Sequence, residues 1–538
     1  MKLKTELAFF VLLFFSQIAP AQNKSFTTHL PIVYLNTNGQ TIPDDPKINA
    51  TMEIAWHENG TDNSTSDPRN HFKGKIQIEV RGSSSQMSPK KSYGFELKDA
   101  DGADMDFPLL GMPTEEDWIL YAPYSDKSLM RNVLTFTLAD KMSDNYAPRC
   151  RFAELFLNNE YQGVYVLMEK IKRGPDRVDI NKLKADELSG ADLTGGYIIK
   201  IDKQTGDGGD GWWSQFTNSN YSRTFYQYDY PESDDIQPEQ KNYIQQYVND
   251  FETAISNLWR DNNKGYQNYM NVETFYDYVI VNELSKNVDG YRLSAFMNKD
   301  KDGKLNAGPF WDYNLAFGNA YYYDGWTTYG LFVFQDIGDD YWQVPFWWKK
   351  LMSDATFTNP MRCRWDGLRE DILSEENILG VIDSITTLLG SSIDRNFSRW
   401  PILSQYVWPN YYIGNTYQNE IYWLKDWIST RLGRVDNELP GTCDINSLVQ
   451  DISEEWSMTF YPNPFTNELN LEIVTQSNDE CILRLYNLNG ALLQETKLPV
   501  IDGVNRFNFA FPKLNSGVYF YRMIQGDHEF STGKLVKR

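Results

Sequence analysis

Histidine is almost missing from this chain of 538 residues: His29, His57, His71 and His528 are all it has, and none falls between 72 and 527. A Ser-His-Asp triad or an H-E-x-x-H zinc site inside that stretch is excluded, because both need imidazole. Cysteine is sparse too. Cys150, Cys363, Cys443 and Cys481 are irregularly spaced and form no C-x-x-C, which removes zinc knuckles and dithiol redox motifs. In an exported chain one or two disulfides are possible, and sequence cannot pair them. Positive charge is short as well: 51 Lys+Arg against 73 Asp+Glu leave a net charge of -22. That surface repels phosphate backbones, so nucleic acid is not an expected partner. Chemistry here must rest on carboxylates and lysines, with or without a metal.

Long apolar runs are absent. Ala8 to Phe15 is uncharged but too short to span a bilayer, and no later segment is apolar enough to try, so no transmembrane segment is expected. With Lys2 and Lys4 before it and Ala19-Pro20-Ala21 behind, it reads as a signal peptide over 1–21. The mature protein is expected to be exported and soluble. Aromatics are plentiful at 15% of residues, with 34 Tyr and 16 Trp. Exposed rings would stack on sugars, whereas a Tyr/Trp-rich core accounts for most of them more simply.

Alternation predicts a strand over Lys75–Val80 and another through Tyr93, Phe95 and Leu97, joined by the long Gly82–Ser85 tip. Asp126 is placed to cap a helix carrying Met130, Val133, Leu134, Leu138 and Met142. A hairpin is expected around Asn158-Asn159, a strand over 197–202, and a helix opening at Pro238. A second helix runs through Phe275 and Val279 to the break before Asp289, and further helices are expected near 367–396 and 417–436. Residues 441–456 are polar and acidic, a linker. From Ser457 to Arg538 short alternating strands separated by Asn, Gly and Pro turns predict a small β-sandwich.

Two aspartates stand out. Asp289 sits in a short Asn-Val-Asp-Gly break, and Asp312 lies between Pro309-Phe310-Trp311 and Tyr313-Asn314. A turn rich in Asp and Gly separates them, so a hairpin can return one carboxylate to the other. One carboxylate near an acceptor hydroxyl and a second on Mg²⁺ is how kinase-type phosphoryl transfer is organised; turn aspartates that only cap are the plainer reading. Gly82–Ser85 followed by Lys90 and Lys91 fits a phosphate cradle and equally a solvated hairpin tip. Asn298–Gly303 mimics the opening of a calcium loop, but position twelve is Pro309, so calcium is rejected.

These residues are similar to the CotH kinase family. The resemblance is carried by RGSSSQMSPKKSYGFELK (81–98), APYSDKSLMRN (122–132), APRCRFAELFLNNEYQGVYVLMEKI (147–171), GGYIIKID (195–202) and the Asp289 to Gly318 region. It implies an α+β fold with an atypical two-lobed protein-kinase-like domain over 22–440, using ATP and Mg²⁺ on a protein substrate. Asp289 would be catalytic; Lys91, with Lys90 as its neighbour, Glu169 and Arg131 would serve the nucleotide; Asp312 and Asn314 would hold the metal. One departure is visible: kinases place an asparagine five residues after the catalytic aspartate, and here that position is Ser294. A pseudokinase is therefore one alternative. A non-catalytic surface protein binding glycans or proteins through Trp326, Trp342, Trp347 and Trp348 is another, and a paired-carboxylate glycosidase a third. The block from Tyr461-Pro462-Asn463-Pro464 to the terminal Arg538 resembles the type A sorting domain of the type IX secretion system. It implies an immunoglobulin-like sandwich over 457–538, a Bacteroidota source, the type IX machinery as partner, and a secreted or surface-attached product.

Overall fold

The computed structural model describes residues 25–204, 209–258, 264–443, 456–475, 480–487, 491–512, 514–525 and 528–538. The expected signal peptide and most of the expected linker lie outside the described residues. The chain divides into a first unit up to Gly441 and a second from Thr442 onward.

The first unit begins as a closed seven-stranded barrel. Its strands run in the order Ile32–Asn36, Ile48–Ala55, Phe72–Arg81, Ser92–Lys98, Asp117–Tyr121, Glu160–Glu169 and Cys150–Leu157, and the last returns to the first in parallel. Alternation sends Val33, Leu35, Ile54, Ile76, Ile78, Phe95 and Leu97 into the lumen, where each is at most 2% exposed. The last two strands in that order are buried on both faces over most of their length, because Val164, Val166 and Met168 of one and Phe152 of the other point outward into a second core shared with helices. Closing the sheet removes free edges. The Asn158-Asn159 hairpin has both residues at positive φ, 48° and 65°, as a tight two-residue turn requires.

A five-stranded antiparallel sheet follows, ordered Gly211–Trp213, Phe225–Tyr230, Tyr197–Ile201, Ala295–Lys299 and Leu305–Ala307. With it goes a helical layer, Arg131–Met142, Pro238–Ser256, Val272–Ser285, Ala355–Arg369, Glu375–Leu389 and Tyr417–Glu438, while Ser392–Arg399 packs on the barrel strand Glu160–Glu169. Pro238 opens its helix behind a reciprocal Gln237–Gln240 capping box. Val272–Ser285 is buried on every side from Thr274 onward, the signature of a helix with no solvent face. Asp126 does not cap the Arg131–Met142 helix from the usual position. It folds back, accepting from the Arg131 amide at 2.8 Å and the Ser128 hydroxyl at 2.6 Å. Trp347 and Trp348 are 1% and 2% exposed and belong to the core, so neither presents a ring to a ligand.

The second unit is all β. One sheet holds Trp456–Tyr461, Glu468–Thr475 and Gly503–Ala510; the other holds Leu492–Pro499, Glu480–Tyr486, Gly517–Gln525 and His528–Lys537. Leu469, Leu471, Ile473, Leu485, Met523 and Leu535 form its core. Cys363 and Cys443 are each disulfide-bonded, whereas Cys150 and Cys481 are free thiols. Among the described residues no helix is long and apolar enough to cross a membrane.

Candidate functional site

The hairpin Ala295–Lys299 and Leu305–Ala307 pairs Met297 with Ala307 and Lys299 with Leu305. Its two outer ends carry the Asp289 and Asp312 loops. Both loops meet at the side chain of Asn287, which is 1% exposed. Its carbonyl oxygen accepts from the Asp289 amide at 3.2 Å while its amide donates to the Asp312 carbonyl at 3.1 Å. Nothing in the sequence reading singled Asn287 out.

Asp312 holds φ at 60°, in the left-handed region that costs most residues energy. It persists because its neighbours fix it: Asn132 Oδ1 accepts from the Tyr313 amide at 2.7 Å, and Asn314 donates to the Tyr121 hydroxyl. Strain of this kind collects at functional sites. Burial, then the negative charges of Asp289 and Asp202, push the Asp312 carboxyl up to about 7, with Arg81 and Lys203 pulling the other way. Asp289 is held by Arg292, 2.9 Å away, which also reaches Asp340 at 3.2 Å and lies over the Tyr323 ring at 5.1 Å.

Asp202 is a third carboxylate at the site, and the sequence reading had used it only as a strand end. Burial raises its pKa. Ser294, at φ 50°, points its hydroxyl to Asp202 at 3.4 Å. Arg81 ends a barrel strand just before the Gly82–Ser85 tip, lies over Trp311 at 5.6 Å, and feels the Asp312 charge. A lone arginine at a strand end gave no signal in the sequence beyond its place in the RGSSS block.

The remaining residues singled out by resemblance have other partners. Lys91 donates to the carbonyl of Gln86, just after the Gly82–Ser85 tip. Lys90 is buried against the barrel wall, donating to the Val164 carbonyl and, at 3.0 Å, to Asn396; burial brings its ammonium down to about 7. Glu169 is fully buried and accepts from Tyr146 and from Arg149 at 2.8–2.9 Å. Arg131 joins Asp126 to the Ala316 carbonyl, 3.0 Å away, and so braces the segment behind Asp312.

Among the described residues one trio of carboxylates gathers its oxygens within 4.8 Å: Asp106, Glu115 and Glu116. Lys172 already pairs with two of its members, Glu115 at 2.9 Å and Glu116. Asp202, Asp289 and Asp312 are more widely set.

The sequence profile of the CotH kinase protein family matches residues 78–435. This chain belongs to that family. The match takes in the Arg81 loop, Asp202, Asp289 and Asp312 together. Residues 459–538 match the secretion system C-terminal sorting domain, which marks this CotH protein for export and for a secreted or cell-surface location. No curated protein matches the chain. Among solved structures, a β-glucosidase from Listeria innocua in complex with isofagomine is 10% identical with a TM-score of 0.12, over 15% of this chain and 16% of that one. The Pseudomonas fluorescens alkylpurine DNA glycosylase AlkC, bound to DNA containing an abasic site analog, is 9% identical with a TM-score of 0.11, over 38% and 56%. Likenesses this slight carry no argument about fold or chemistry.

Proposed function

We propose that this CotH protein is an exported kinase that transfers phosphate from ATP to hydroxyl groups, with the barrel and the sheet-and-helix region acting as its two lobes. The observation that carries the reading is the clamp at Asn287, which fixes the Asp289 and Asp312 loops together, while burial and then two neighbouring carboxylates raise the Asp312 carboxyl. Such a group calls for a cation. Asp312, with Asn314 and Asp202, would hold Mg²⁺, whose part is to neutralise charge on the phosphates. Asp289, oriented by Arg292, would accept the hydroxyl proton. Arg81 and Lys91 would supply positive charge on the phosphate side of Asp312, where the resemblance alone pointed to Lys91 and Lys90. Glu169, Arg131 and Lys90 serve this reading as framework that positions the lobes.

The test is titration calorimetry of ATP with and without Mg²⁺, followed by radiolabel transfer. Asp312→Asn should lose Mg²⁺-dependent binding, whereas Asp289→Asn should bind nearly as wild type and transfer nothing. A wild type that binds no nucleotide sinks the reading. The pseudokinase alternative has one observation in its favour, Ser294 where kinases carry asparagine. Its left-handed φ is one that asparagine adopts readily, so Ser294→Asn is accommodated. Binding without transfer in wild type, and transfer in Ser294→Asn, would favour that alternative.

A further inference from the structure

Next to Asp289 the surface turns aromatic. Segment 319–323 pairs with segment 406–411: Ala320 bridges to Asn410, the Tyr321 amide donates to the Pro409 carbonyl at 3.0 Å, and the Tyr411 amide to Asn319 at 2.8 Å. The pairing lines up rings. Tyr321 lies 6.5 Å from Tyr406 and 5.9 Å from Tyr322, Tyr322 stacks on Trp408 at 6.1 Å, and Trp326 stacks on Tyr411 at 4.3 Å. Tyr321, Tyr406, Trp408 and Tyr411 remain 42–56% exposed. Packed rings left open on this scale are not core.

The platform is fastened to the catalytic loop. A Cβ at Gly325 would come within 2.5 Å of Val288, one residue before Asp289. Tyr323 donates to Asp340, which pairs with Arg292, which in turn pairs with Asp289. Residues 314–348 and 400–424, which carry all of these rings, contain no Lys, Arg or His, while Asp324, Asp336, Asp339 and Asp340 lie among them; of the cations that reach these segments, Lys127 is engaged by the Leu403 and Gln405 carbonyls and Arg292 by Asp289 and Asp340. An anionic partner is disfavoured on such a surface. Flat apolar faces rimmed by phenol groups match a chain of uncharged sugar rings, whose C–H faces stack and whose hydroxyls hydrogen-bond.

We propose that Tyr321, Tyr322, Tyr406, Trp408 and Tyr411 form the acceptor platform of this protein, and that the acceptor is a neutral polysaccharide rather than a protein. The transfer rests on the kinase reading above. A sugar hydroxyl oxygen bonds to the γ-phosphorus of ATP, the bond to the β,γ-bridging oxygen breaks, ADP leaves with that electron pair, and the hydroxyl proton passes to Asp289. Docking itself needs no nucleotide.

The full chain is titrated with cellohexaose, xylohexaose and mannohexaose, with polygalacturonate and a serine-rich peptide for comparison, following tryptophan fluorescence. At least one neutral hexaose should bind. Tyr406→Ala and Tyr321→Ala, both at exposed rings, should each weaken it about tenfold or more while leaving the melting temperature and ATP binding unchanged. Binding to none of the neutral hexaoses, binding that the two variants leave intact, or binding of polygalacturonate or the peptide alone overturns the platform. Saturable hexaose binding with no phosphate transfer from ATP keeps the platform and removes only the kinase chemistry.

Discussion

The carboxyl of Asp312 makes a pH prediction with a definite sign. Its folded pKa of about 7 stands above the ordinary 3.8, so the folded state binds the extra proton and stability is lost as pH rises between those values. Asp312→Asn should therefore raise the melting temperature at pH 8, by on the order of 1–3 kcal/mol of stability, and leave it unchanged at pH 4. Thermal melts of both proteins at the two pH values check this. Mg²⁺ needs the ionised form, so Mg²⁺-dependent ATP binding in wild type should weaken up to about tenfold per unit below pH 7. Lys90 has the opposite sign. Its folded pKa of about 7 lies below the ordinary 10.5, so its burial penalty is relieved as pH rises from 7 towards 10.5. The stability of wild type relative to Lys90→Met should improve between pH 6 and pH 9, read from paired denaturant titrations.

Among the structural elements, the loops after the buried helix and after the hairpin are held by one amide. Asn287→Ala removes two hydrogen bonds and leaves the Asp289 amide and Asp312 carbonyl without these partners at a half-buried place. A loss of about 1–3 kcal/mol is expected, with transfer falling more than tenfold and ATP binding falling less, measured by denaturant titration and single-turnover labelling. The helix Ser392–Arg399 docks on the barrel through Asn396, whose oxygen accepts from both Lys90 and the Val164 amide. Gly163 makes that approach possible: φ is 92°, and a Cβ there would stand 2.5 Å from Asn396 Oδ1. Gly163→Ala should lower stability by about 1–3 kcal/mol, seen as a drop in melting temperature. Four of the seven barrel strands, Phe72–Arg81, Ser92–Lys98, Cys150–Leu157 and Glu160–Glu169, were legible because period-two alternation or a turn between apolar runs marks them, whereas Ile32–Asn36, Ile48–Ala55 and Asp117–Tyr121 were not read from the sequence. The helix break before Asp289 was legible because its apolar spacing stops there. The clamp was not, since asparagine in a turn gives no sign of what it will reach.

For the whole molecule, the sorting tail makes the prediction. The surface form should lack the leader over 1–21 and the sandwich from about Ser457, as intact mass will show; a main product still carrying 461–538 would count against it. Deleting 533–538 removes half of the strand His528–Lys537 and with it Leu535, which is 1% exposed. The deletion should therefore unfold the sandwich and trap the protein before the outer membrane, while the first unit, with its own cores, stays folded.

By itself the sequence determined the family, the export tail and an acidic, histidine-poor composition, and it put Asp289 and Asp312 forward as candidates. Each of these is written in local pattern or in counts, which folding does not alter. Only the tertiary structure decided which charges stand beside Asp312. Arg81 comes from a barrel strand and Asp202 from the central sheet, and their approach depends on strand order rather than spacing along the chain. Burial was decided there too: Trp347 and Trp348 went into the core, Lys90 into the barrel wall, and the rings at 321 and 406 stayed at the surface, because exposure follows from what packs against a residue.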